Sequence, residues 1–323
     1  MSRIFLNVTC LLVLALPFGA AAQAPGGKYP LKPVTMVVPF AAGSATDNEA
    51  RICTPKLTEV FGQPFLIDLK PGAGNRVATE FVMKAAPDGH VLMFTASTHA
   101  VVPVTFPDLP YDIYKVLAPV SLLTKRYALI AVHPSVPVSN MAEYIAYTKA
   151  NPGKINIVDA GAGGSQHLTA LWLNAATGTQ TTSVHYKSAN AGILDVLAGR
   201  AQMHIGTRRS LQPLVNSGKL RAVAQASLVR HPDLPDLPTA SETVPGWEYP
   251  SWLGVLAPGA TPLALRTRLA SEFNRIVKLP DVVKQLGDDV LPIGGTPQEF
   301  ERMYLQESAL WKKIVKEANV KFD

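Results

Sequence analysis

Apolar and polar positions follow two alternating periods along the chain after the first 33 residues. Short apolar runs predict strands at 34–40, 65–69 and 91–97, and helical spacing predicts helices at 46–62 and 76–86. Strands and helices therefore alternate through this part of the sequence. That order is typical of a doubly wound α/β domain.

The same alternation restarts in the middle of the chain. The pattern predicts strands at 128–134, 155–160, 182–186 and 201–206, separated by helices at 141–153, 166–178 and 191–199. A second α/β domain is the simplest interpretation of this restart, because 323 residues exceed the usual size of a single core.

The last quarter of the sequence predicts a return to the first domain. A proline-rich segment at 231–246 leaves the second domain, a strand follows within 251–262, and helices are predicted at 264–278, 281–286 and 297–318. The predicted fold class is therefore α/β, with two doubly wound domains joined by a two-strand hinge. We expect residues 29–126 plus 246–323 to form the first domain and residues 127–245 to form the second.

The N-terminus has the pattern of a secretory signal peptide. Residues 1–22 combine one positive charge, an apolar run of about 10 residues and an Ala-x-Ala end. No later run approaches the roughly 20 apolar residues that a membrane-spanning helix needs. For a bacterial source, we expect cleavage after Ala22 and export to the periplasm.

Composition excludes several classes of protein. Hydrophobic residues make up 47% of the chain and charged residues 17%, which indicates an ordinary globular protein. The net charge of +6 is scattered, without blocks of Lys and Arg among aromatic residues, so nucleic acid is not a predicted partner. Cys53 is the one cysteine outside the predicted signal peptide, so we expect it to pack in the core rather than to form a disulfide or a metal site.

Two predicted junctions between a strand and a helix share a composition of small residues. Residues 37–50, VVPFAAGSATDNEA, and residues 156–170, NIVDAGAGGSQHLTA, each pass through Gly, Ala and Ser into a helix. Such junctions leave backbone N–H groups unpaired at the positive end of the helix dipole, where a carboxylate or phosphate can bind. Ordinary helix caps are the alternative for either loop alone, but two such loops facing each other across a hinge favour an anion-binding site.

Enzyme motifs are weak by comparison. GAGGSQ lacks the third glycine of the dinucleotide fingerprint, and neither a P-loop nor a GxSxG motif occurs. Ser165 lies two residues from His167, but we favour no nucleophile there. His185, His204 and His231 lack metal-ligand spacing, and we expect His204 to be a hydrogen-bonded structural residue. We therefore predict no catalytic residues, no cofactor and no metal.

Segments from about residue 29 to the C-terminus resemble those of one protein family. They read YPLKPVTMVVPFAAGSATDNEAR, PGAGN, PDGHVLMFTASTHAV, DLPYD, LAPVSLL, NPGKINI, GAGGSQHLTALWL, HYKSANAGILDVLAG, SGKLRAVA and SWLGVLAPGATP. On these segments the chain resembles the Bug-type, TctC-like periplasmic receptors, which are the substrate-binding proteins of tripartite tricarboxylate transporters.

The resemblance implies a two-domain clamshell and a specific set of partners. It implies a monomer that binds a small carboxylate between its domains, through backbone N–H groups, hydroxyls and waters, and delivers it to membrane permease subunits without chemistry. It also implies ligand contacts at Phe40, Ala42, Gly43, Ser44, Ala45, Thr46, Asp47, Ser97, Thr98, His99, Gly163, Gly164, Ser165, Gln166, His167, Ala189 and Asn190.

One departure from the family pattern bears on the ligand. Members commonly carry an acidic residue where this chain has Gly206, and Thr207, Arg208 and Arg209 follow here. Losing an acid and gaining Arg disfavours an ammonium group and favours a second carboxylate, so we add Gly206, Thr207 and Arg208 to the expected site. A solvated helix start is the alternative for the Arg pair.

The small residues of these loops leave room for a planar ligand. An aromatic dicarboxylate such as terephthalate is therefore the leading expectation, with aliphatic dicarboxylates and tricarboxylates as alternatives. A periplasmic sensor subunit, which would present its liganded form to a signalling protein, is a different function for the same fold. An enzyme is the third option, for which the sequence offers no credible base, nucleophile or metal set.

Overall fold

The structure, a computed structural model, describes residues 29–320 and 322, with Ala189 and Asn190 described by their backbone. The strands are β1 Val34–Val38, β2 Phe65–Leu69, β3 Val91–Ala96, β4 Leu117–Arg126, β5 Ala128–Val132, β6 Ile155–Asp159, β7 Thr181–His185, β8 Met203–Thr207, β9 Arg221–Gln225, β10 Trp252–Pro258 and β11 Val290–Pro292. The helices are α1 Ala45–Phe61, α2 Arg76–Met83, α3 Thr98–Thr105, α4 Ile113–Val116, α5 Met141–Ala150, α6 Ser165–Thr177, α7 Ala189–Leu197, α8 Arg208–Asn216, α9 Leu263–Ile276, α10 Pro280–Leu286 and α11 Pro297–Ala318. The predicted signal peptide, residues 1–22, lies outside the described residues.

The strands form two sheets, which confirms the predicted class of two α/β domains. The first sheet has the order β11-β4-β10-β3-β1-β2, and the second has the order β7-β6-β8-β5-β9. In the first sheet β1 runs parallel to β2 and β3, whereas β10 is antiparallel to β3 and β4. In the second sheet β6 runs parallel to β7 and β8, whereas β5 is antiparallel to β8 and β9. We call the parts built on the first and second sheets the first and second lobes.

Each sheet buries its own apolar core. In the first lobe α1 and α9 pack on the sheet, and Leu57 and Phe273 are fully buried there. In the second lobe α5 and α6 pack on the sheet around Tyr144 and Leu173. The returning segment contributes Trp247 to this second core before it enters β10.

Cys53 lies in the core of the first lobe, as predicted. Its thiol is free and buried, and burial, together with the nearby Glu49 carboxylate, raises its pKa to about 12. The residue is therefore a packing group.

The sequence pattern missed several elements of the hinge region. The residues of β4 include Pro119, Ser121 and Thr124, which break the apolar run although all three are buried in a central strand. Helix α3 contains Pro103 and a run of β-branched residues, both of which oppose a helix prediction. Neither β9 nor β11 was predicted as a strand.

Strand direction brings the carboxyl ends of both sheets to the hinge. Strand β4 is parallel to β3 because both are antiparallel to β10, so β1, β3 and β4 end at the same sheet edge. Only Tyr127 separates the end of β4 from the start of β5, and β5 starts at the edge where β8 ends. The carboxyl-end edges of the two sheets therefore meet at the hinge, and the loops after β1, β3, β6 and β8 all lie on these edges.

Across the described residues, we find no helix with the length and apolarity needed to span a membrane.

Candidate ligand-binding site

The loop after β1 forms the start of α1 in the first lobe. Ala42, Gly43 and Ala45 are exposed, whereas Phe40 is half-buried and packs against the core of the lobe. Ser44 caps the helix, because its hydroxyl accepts from the N–H of Asp47 at 3.2 Å. Within the described part of the chain, the N–H groups of Ala45 and Thr46 donate to no protein acceptor. The loop therefore offers two backbone donors at the positive end of a 17-residue helix.

Asp47 holds this loop in shape. Its carboxylate is buried, accepts from the N–H of Gly43 at 2.8 Å and pairs with Arg51 Nε at 2.9 Å. Burial acts to raise the pKa of Asp47, but the Gly43 N–H and the Arg51 guanidinium hold it below its usual range. Asp47 therefore holds the loop through Oδ2, while Oδ1 faces the Arg51 guanidinium of α1.

The turn after β3 carries Ser97, Thr98 and His99. The Ser97 N–H bonds to Trp252 O at 3.0 Å, and the Thr98 hydroxyl accepts from Asn75 Nδ2 at 3.1 Å. His99 has no exposed surface and lies behind these residues, bonded to Thr79 and Tyr304. Burial lowers the pKa of His99 to about 3, so the ring is neutral. We assign His99 a structural role, in which it supports α3.

The loop after β6 forms an open helix start in the second lobe. The N-cap of α6 is Gly164, which has no side chain to cap the first turn. In the described structure, the N–H groups of Ser165, Gln166 and His167 have no protein acceptor. Gly163 adopts a φ of 74°, which favours glycine. The start of this 13-residue helix therefore has three backbone donors without a protein acceptor, one more than the start of α1.

Side chains of α6 fix the loop in front of it. Gln166 accepts from the N–H of Ala160 at 3.1 Å and donates to Ile205 O at 3.0 Å, which ties the loop to β8. Tyr249 comes from the segment returning to the first lobe, and its hydroxyl interacts with Ser165. Burial raises the pKa of Tyr249, while the Ser165 bond and the Arg126 charge act in the opposite direction.

Arg126 ties the start of α1 to the end of β4. Arg126, the last residue of β4, pairs with Glu49 in the first turns of α1. Glu49 is buried and also accepts from Thr124 Oγ1 at 2.9 Å. Burial raises the pKa of Glu49, although Arg126 and Thr124 counteract this effect. The start of α1 is thus held against the last strand before the hinge.

The two lobes also contact each other at Gly163. A Cβ at this position would lie 2.7 Å from the Thr105 methyl group at the end of α3 and 3.1 Å from the Phe322 ring. Helix α11 packs against both α3 and α6. Because α3 is about 12 Å long, the loop before α6 lies within one short helix of the Ser97–Thr98 turn.

Comparison with protein families shows which family the chain belongs to. The TctC family model, which describes the tripartite tricarboxylate transporter family receptor, matches residues 50–320. The chain belongs to this receptor family. The resemblance stated from the sequence is therefore confirmed.

Curated TctC relatives match the chain over nearly its full length. The UPF0065 protein in the tcbD-tcbE intergenic region of Pseudomonas sp. (strain P51) is 33% identical over 294 residues, which cover 90% of this chain and 87% of the relative. Protein BugT of Bordetella pertussis (strain Tohama I) is 28% identical, with 98% and 99% covered.

Solved structures show the same fold with ligands. R. palustris Rpa4515 with adipate is 31% identical with a TM-score of 0.73, covering 91% of this chain and 99% of that one. MatC (Rpa3494) from Rhodopseudomonas palustris with bound malate is 30% identical with a TM-score of 0.70, covering 89% and 100%.

Gly206 has a local structural reason in this TctC receptor. It lies within β8, and a Cβ there would come 2.6 Å from Nε2 of His204. His204 is buried, bonds to Val158 O at 3.2 Å and is neutral, because burial lowers its pKa to about 4. The predicted structural role of His204 is confirmed. A side chain at position 206 would collide with this ring.

The two arginines after β8 occupy different environments. Arg208 is mostly buried and pairs with Asp288 at 2.7 Å and Asp233 at 3.1 Å, whereas Arg209 is 69% exposed. Both charged ends of the Arg208 guanidinium are thus engaged at the hinge. Thr207, the N-cap of α8, is half-buried beside it.

Ala189 and Asn190 open α7 in the second lobe. Ser188 is the N-cap, and its hydroxyl accepts from the N–H of Ala191 at 3.3 Å. The helix follows β7, which lies next to β6 in the sheet. The two residues therefore lie at the sheet edge that also carries the start of α6.

The sequence analysis missed a polar cluster beside α6. His185 Nδ1 lies 2.8 and 3.0 Å from the two carboxylate oxygens of Asp159, and the His185 ring centroid is 4.7 Å from that of His167. Asp159 and His185 are the last residues of two neighbouring parallel strands and share one register position. Alignment of the two predicted strands in this register would have predicted the contact between Asp159 and His185. Among the described residues, no group of three or more His, Cys, Asp or Glu side chains has the arrangement of a metal site.

Proposed function

We propose that this TctC receptor binds a small dicarboxylate between its lobes and delivers it to the permease subunits of a tripartite tricarboxylate transporter. The observation that carries the proposal is the open start of α6, where three N–H groups lack a protein acceptor. The start of α1 offers two more donors across the hinge. A dicarboxylate could therefore place one carboxylate in each lobe.

The proposed ligand contacts follow from this arrangement. Backbone N–H groups at Ala45, Thr46 and Ser165–His167 bind the carboxylates, and the hydroxyls of Ser97, Thr98 and Thr207 complete the site. Gly43, Gly163, Gly164 and Gly206 allow the close approach of the backbone, while Asp47 and Gln166 hold the loops. Charge-assisted hydrogen bonds contribute about 1.5–3 kcal/mol each, and micromolar affinity needs about −8 kcal/mol, so a few such donors suffice.

The chemical class of the ligand is the finer part of the proposal. Adipate and malate, which the related structures contain, are both dicarboxylates. Ala41, Ala42 and Ala45 are exposed and small, so an aromatic dicarboxylate such as terephthalate also fits the composition of the first-lobe loop. We propose terephthalate as the leading aromatic candidate, with aliphatic dicarboxylates and tricarboxylates as alternatives.

The cellular setting is part of the same proposal. A signal peptide at residues 1–22 directs the chain to the periplasm, and the mature monomer closes its domains, residues 29–126 plus 246–323 and residues 127–245, around the ligand. The receptor releases its ligand unchanged. A periplasmic sensor subunit is the second candidate function, because the same closure could be detected by a signalling protein.

Binding to the mature chain tests the proposal. Isothermal titration with adipate, malate, citrate and terephthalate should show micromolar binding of at least one dicarboxylate. The neutral diamide of the dicarboxylate that binds should not bind. Ala45→Pro removes one N–H at the first helical position, where proline is tolerated, and should weaken binding about tenfold. Ala45→Gly keeps the N–H and is the matched control.

Two outcomes would count against the proposal. If no carboxylate binds, the anion-loop interpretation is wrong. If a dicarboxylate binds but a strain lacking the receptor still takes up that compound at the normal rate, the transport function is wrong and the sensor function is favoured.

A further inference from the structure

A cluster of ionisable side chains lies beside the start of α6, and two of its members, Asp159 and His185, are outside the set of expected ligand contacts. Asp159 ends β6, His185 ends β7, and His167 lies in the first turn of α6. Asp159 is buried with 1% of its surface exposed, whereas the His185 side chain is 40% exposed. The cluster therefore joins a buried acid to a ring that solvent or a ligand can reach.

Contacts to Asp159 fix the orientation of the His185 ring. Both carboxylate oxygens lie within 3.0 Å of His185 Nδ1, and the Gly161 N–H donates to Oδ1 at 2.9 Å. A carboxylate that accepts from Nδ1 requires the proton on that nitrogen. The other nitrogen, Nε2, has no hydrogen-bond partner within the described structure, and it remains available to a ligand.

His167 is held in a complementary way. The Gly163 N–H donates to His167 Nδ1 at 3.1 Å, so this nitrogen is an acceptor and the neutral ring carries its proton on Nε2. Burial lowers the pKa of His167, Asp159 acts to raise it and His185 acts to lower it. His167 is thus a neutral neighbour, and its ring packs edge-to-face against that of His185.

We infer that His185 is a specificity-determining contact of the second lobe, which binds one carboxylate of a dicarboxylate through Nε2 while Asp159 positions the ring through Nδ1. This inference rests on the proposed function. The carboxylate that reaches the open start of α6 lies next to this ring, because the His185 and His167 ring centroids are 4.7 Å apart. Backbone donors and an N–H at Nε2 of the ring together would favour a full carboxylate over a neutral amide or ester at this end.

Burial and hydrogen bonding give Asp159 a defined role. Its carboxylate is 1% exposed and accepts from His185 Nδ1, so the ring lies between the carboxylate and the ligand. Asp159 is therefore a positioning residue. Asn at position 159 would keep the size of the side chain but lose the carboxylate that accepts from Nδ1.

The test compares dicarboxylate binding by the wild type with binding by variants of the cluster. The mature protein is titrated with adipate, alongside His185→Ala, His185→Gln, Asp159→Asn and His133→Ala. His133 follows β5 at the opposite edge of the same sheet, so His133→Ala is the matched control. Loss of one charge-assisted bond weakens binding by about 10- to 150-fold.

We expect His185→Ala to weaken adipate binding by that factor, to leave the melting temperature nearly unchanged, and to be partly rescued by His185→Gln. Asp159→Asn should weaken adipate binding less. In ¹⁵N-histidine spectra of the wild type, His185 should carry its proton on Nδ1, and its Nε2 resonance should shift on adding adipate.

Equal adipate affinity of His185→Ala and His133→Ala, with no Nε2 shift, would overturn the inference and leave the proposed function intact. Failure of the wild type to bind adipate, malate, citrate or terephthalate would overturn both.

Discussion

At the scale of single residues, each lobe places a buried acid beside its anion-binding helix start. Asp47 accepts from the Gly43 N–H at 2.8 Å, and Asp159 accepts from the Gly161 N–H at 2.9 Å. Each acid shapes a glycine-containing loop, and each has a basic partner, Arg51 or His185. Without these partners the acids would repel an anionic ligand. The two lobes therefore pair the buried acid with different basic side chains.

Glu307 is a buried acid of a different kind. It lies on α11, where its carboxylate accepts from Trp252 Nε1 at 2.6 Å and from Trp311 Nε1 at 3.1 Å. Burial raises its pKa from 4.5 to about 7, although both indole N–H groups act to lower it. The native state therefore holds one more proton here than the unfolded state between about pH 4.5 and 7.

This extra proton predicts a pH dependence of stability. The contribution of Glu307 is fully present below the unfolded pKa and is lost as the pH rises through the folded pKa, with a total on the order of 3 kcal/mol. We expect the free energy of unfolding of the wild type, relative to Glu307→Gln, to fall between pH 5 and 8 in urea titrations. His99 and His204 have lowered pKa values, so their contributions to the pH dependence of stability have the opposite sign. These contributions are the same in the wild type and the variant and cancel in the difference.

A difference between wild type and Glu307→Gln that stays constant from pH 5 to 8 would contradict this assignment.

At the scale of elements, the two helix starts differ in capping. Ser44 caps α1 and occupies the Asp47 N–H, whereas Gly164 leaves the first turn of α6 open. A side-chain cap typically stabilises a protein by about 1 kcal/mol. The open start of α6 lacks this bond, and a ligand could supply it. Affinity and stability are thus in competition at position 164.

Substitution of the two cap residues tests this competition. Gly164→Ser places a hydroxyl where it can accept from the N–H of Gln166 or His167, and its Cβ would lie 3.2 Å from Gly161 O. We expect the melting temperature to stay level or rise slightly, and dicarboxylate affinity to fall about tenfold in titration calorimetry. Ser44→Ala is the opposite change and should cost about 1 kcal/mol of stability.

Unchanged affinity in Gly164→Ser, with its fold intact, would show that the first turn of α6 does not bind the ligand.

The elements also show how far the sequence can predict this molecule. The strands β1, β3 and β6 and the helices α1 and α6 follow clear periods, so their loops could be located within one or two residues. The pairing of Asp159 with His185 depends on strand register, and the burial of His99 depends on Tyr304 from the far end of the chain. Such contacts are not encoded in local periodicity.

At the scale of the whole molecule, the two lobes are tied by ion pairs at the hinge. Arg208 at the start of α8 bonds to Asp288, which lies between α10 and β11 in the first lobe. His231 adds a bond from Nε2 to Asp288 O at 2.7 Å, and Tyr127 N–H bonds to Asp289 O at 2.9 Å. The sequence suggested Arg208 as a ligand contact, and its pairing with two acids offers a different role.

A double-mutant cycle on Arg208 and Asp288 separates these roles. If Arg208 restrains the hinge, the lobes move more freely without it, and closure on the ligand then costs more conformational entropy. Arg208→Ala and Asp288→Ala should therefore each weaken dicarboxylate binding by about two- to fivefold. The double variant should then be no weaker than either single one. Arg209→Ala, at the exposed neighbouring position, is the control and should bind like the wild type. If instead Arg208 touches the ligand, Arg208→Ala should weaken binding at least tenfold while Asp288→Ala, which releases the guanidinium, leaves it unchanged or tighter. Titration calorimetry of the four variants therefore decides between a hinge restraint and a ligand contact.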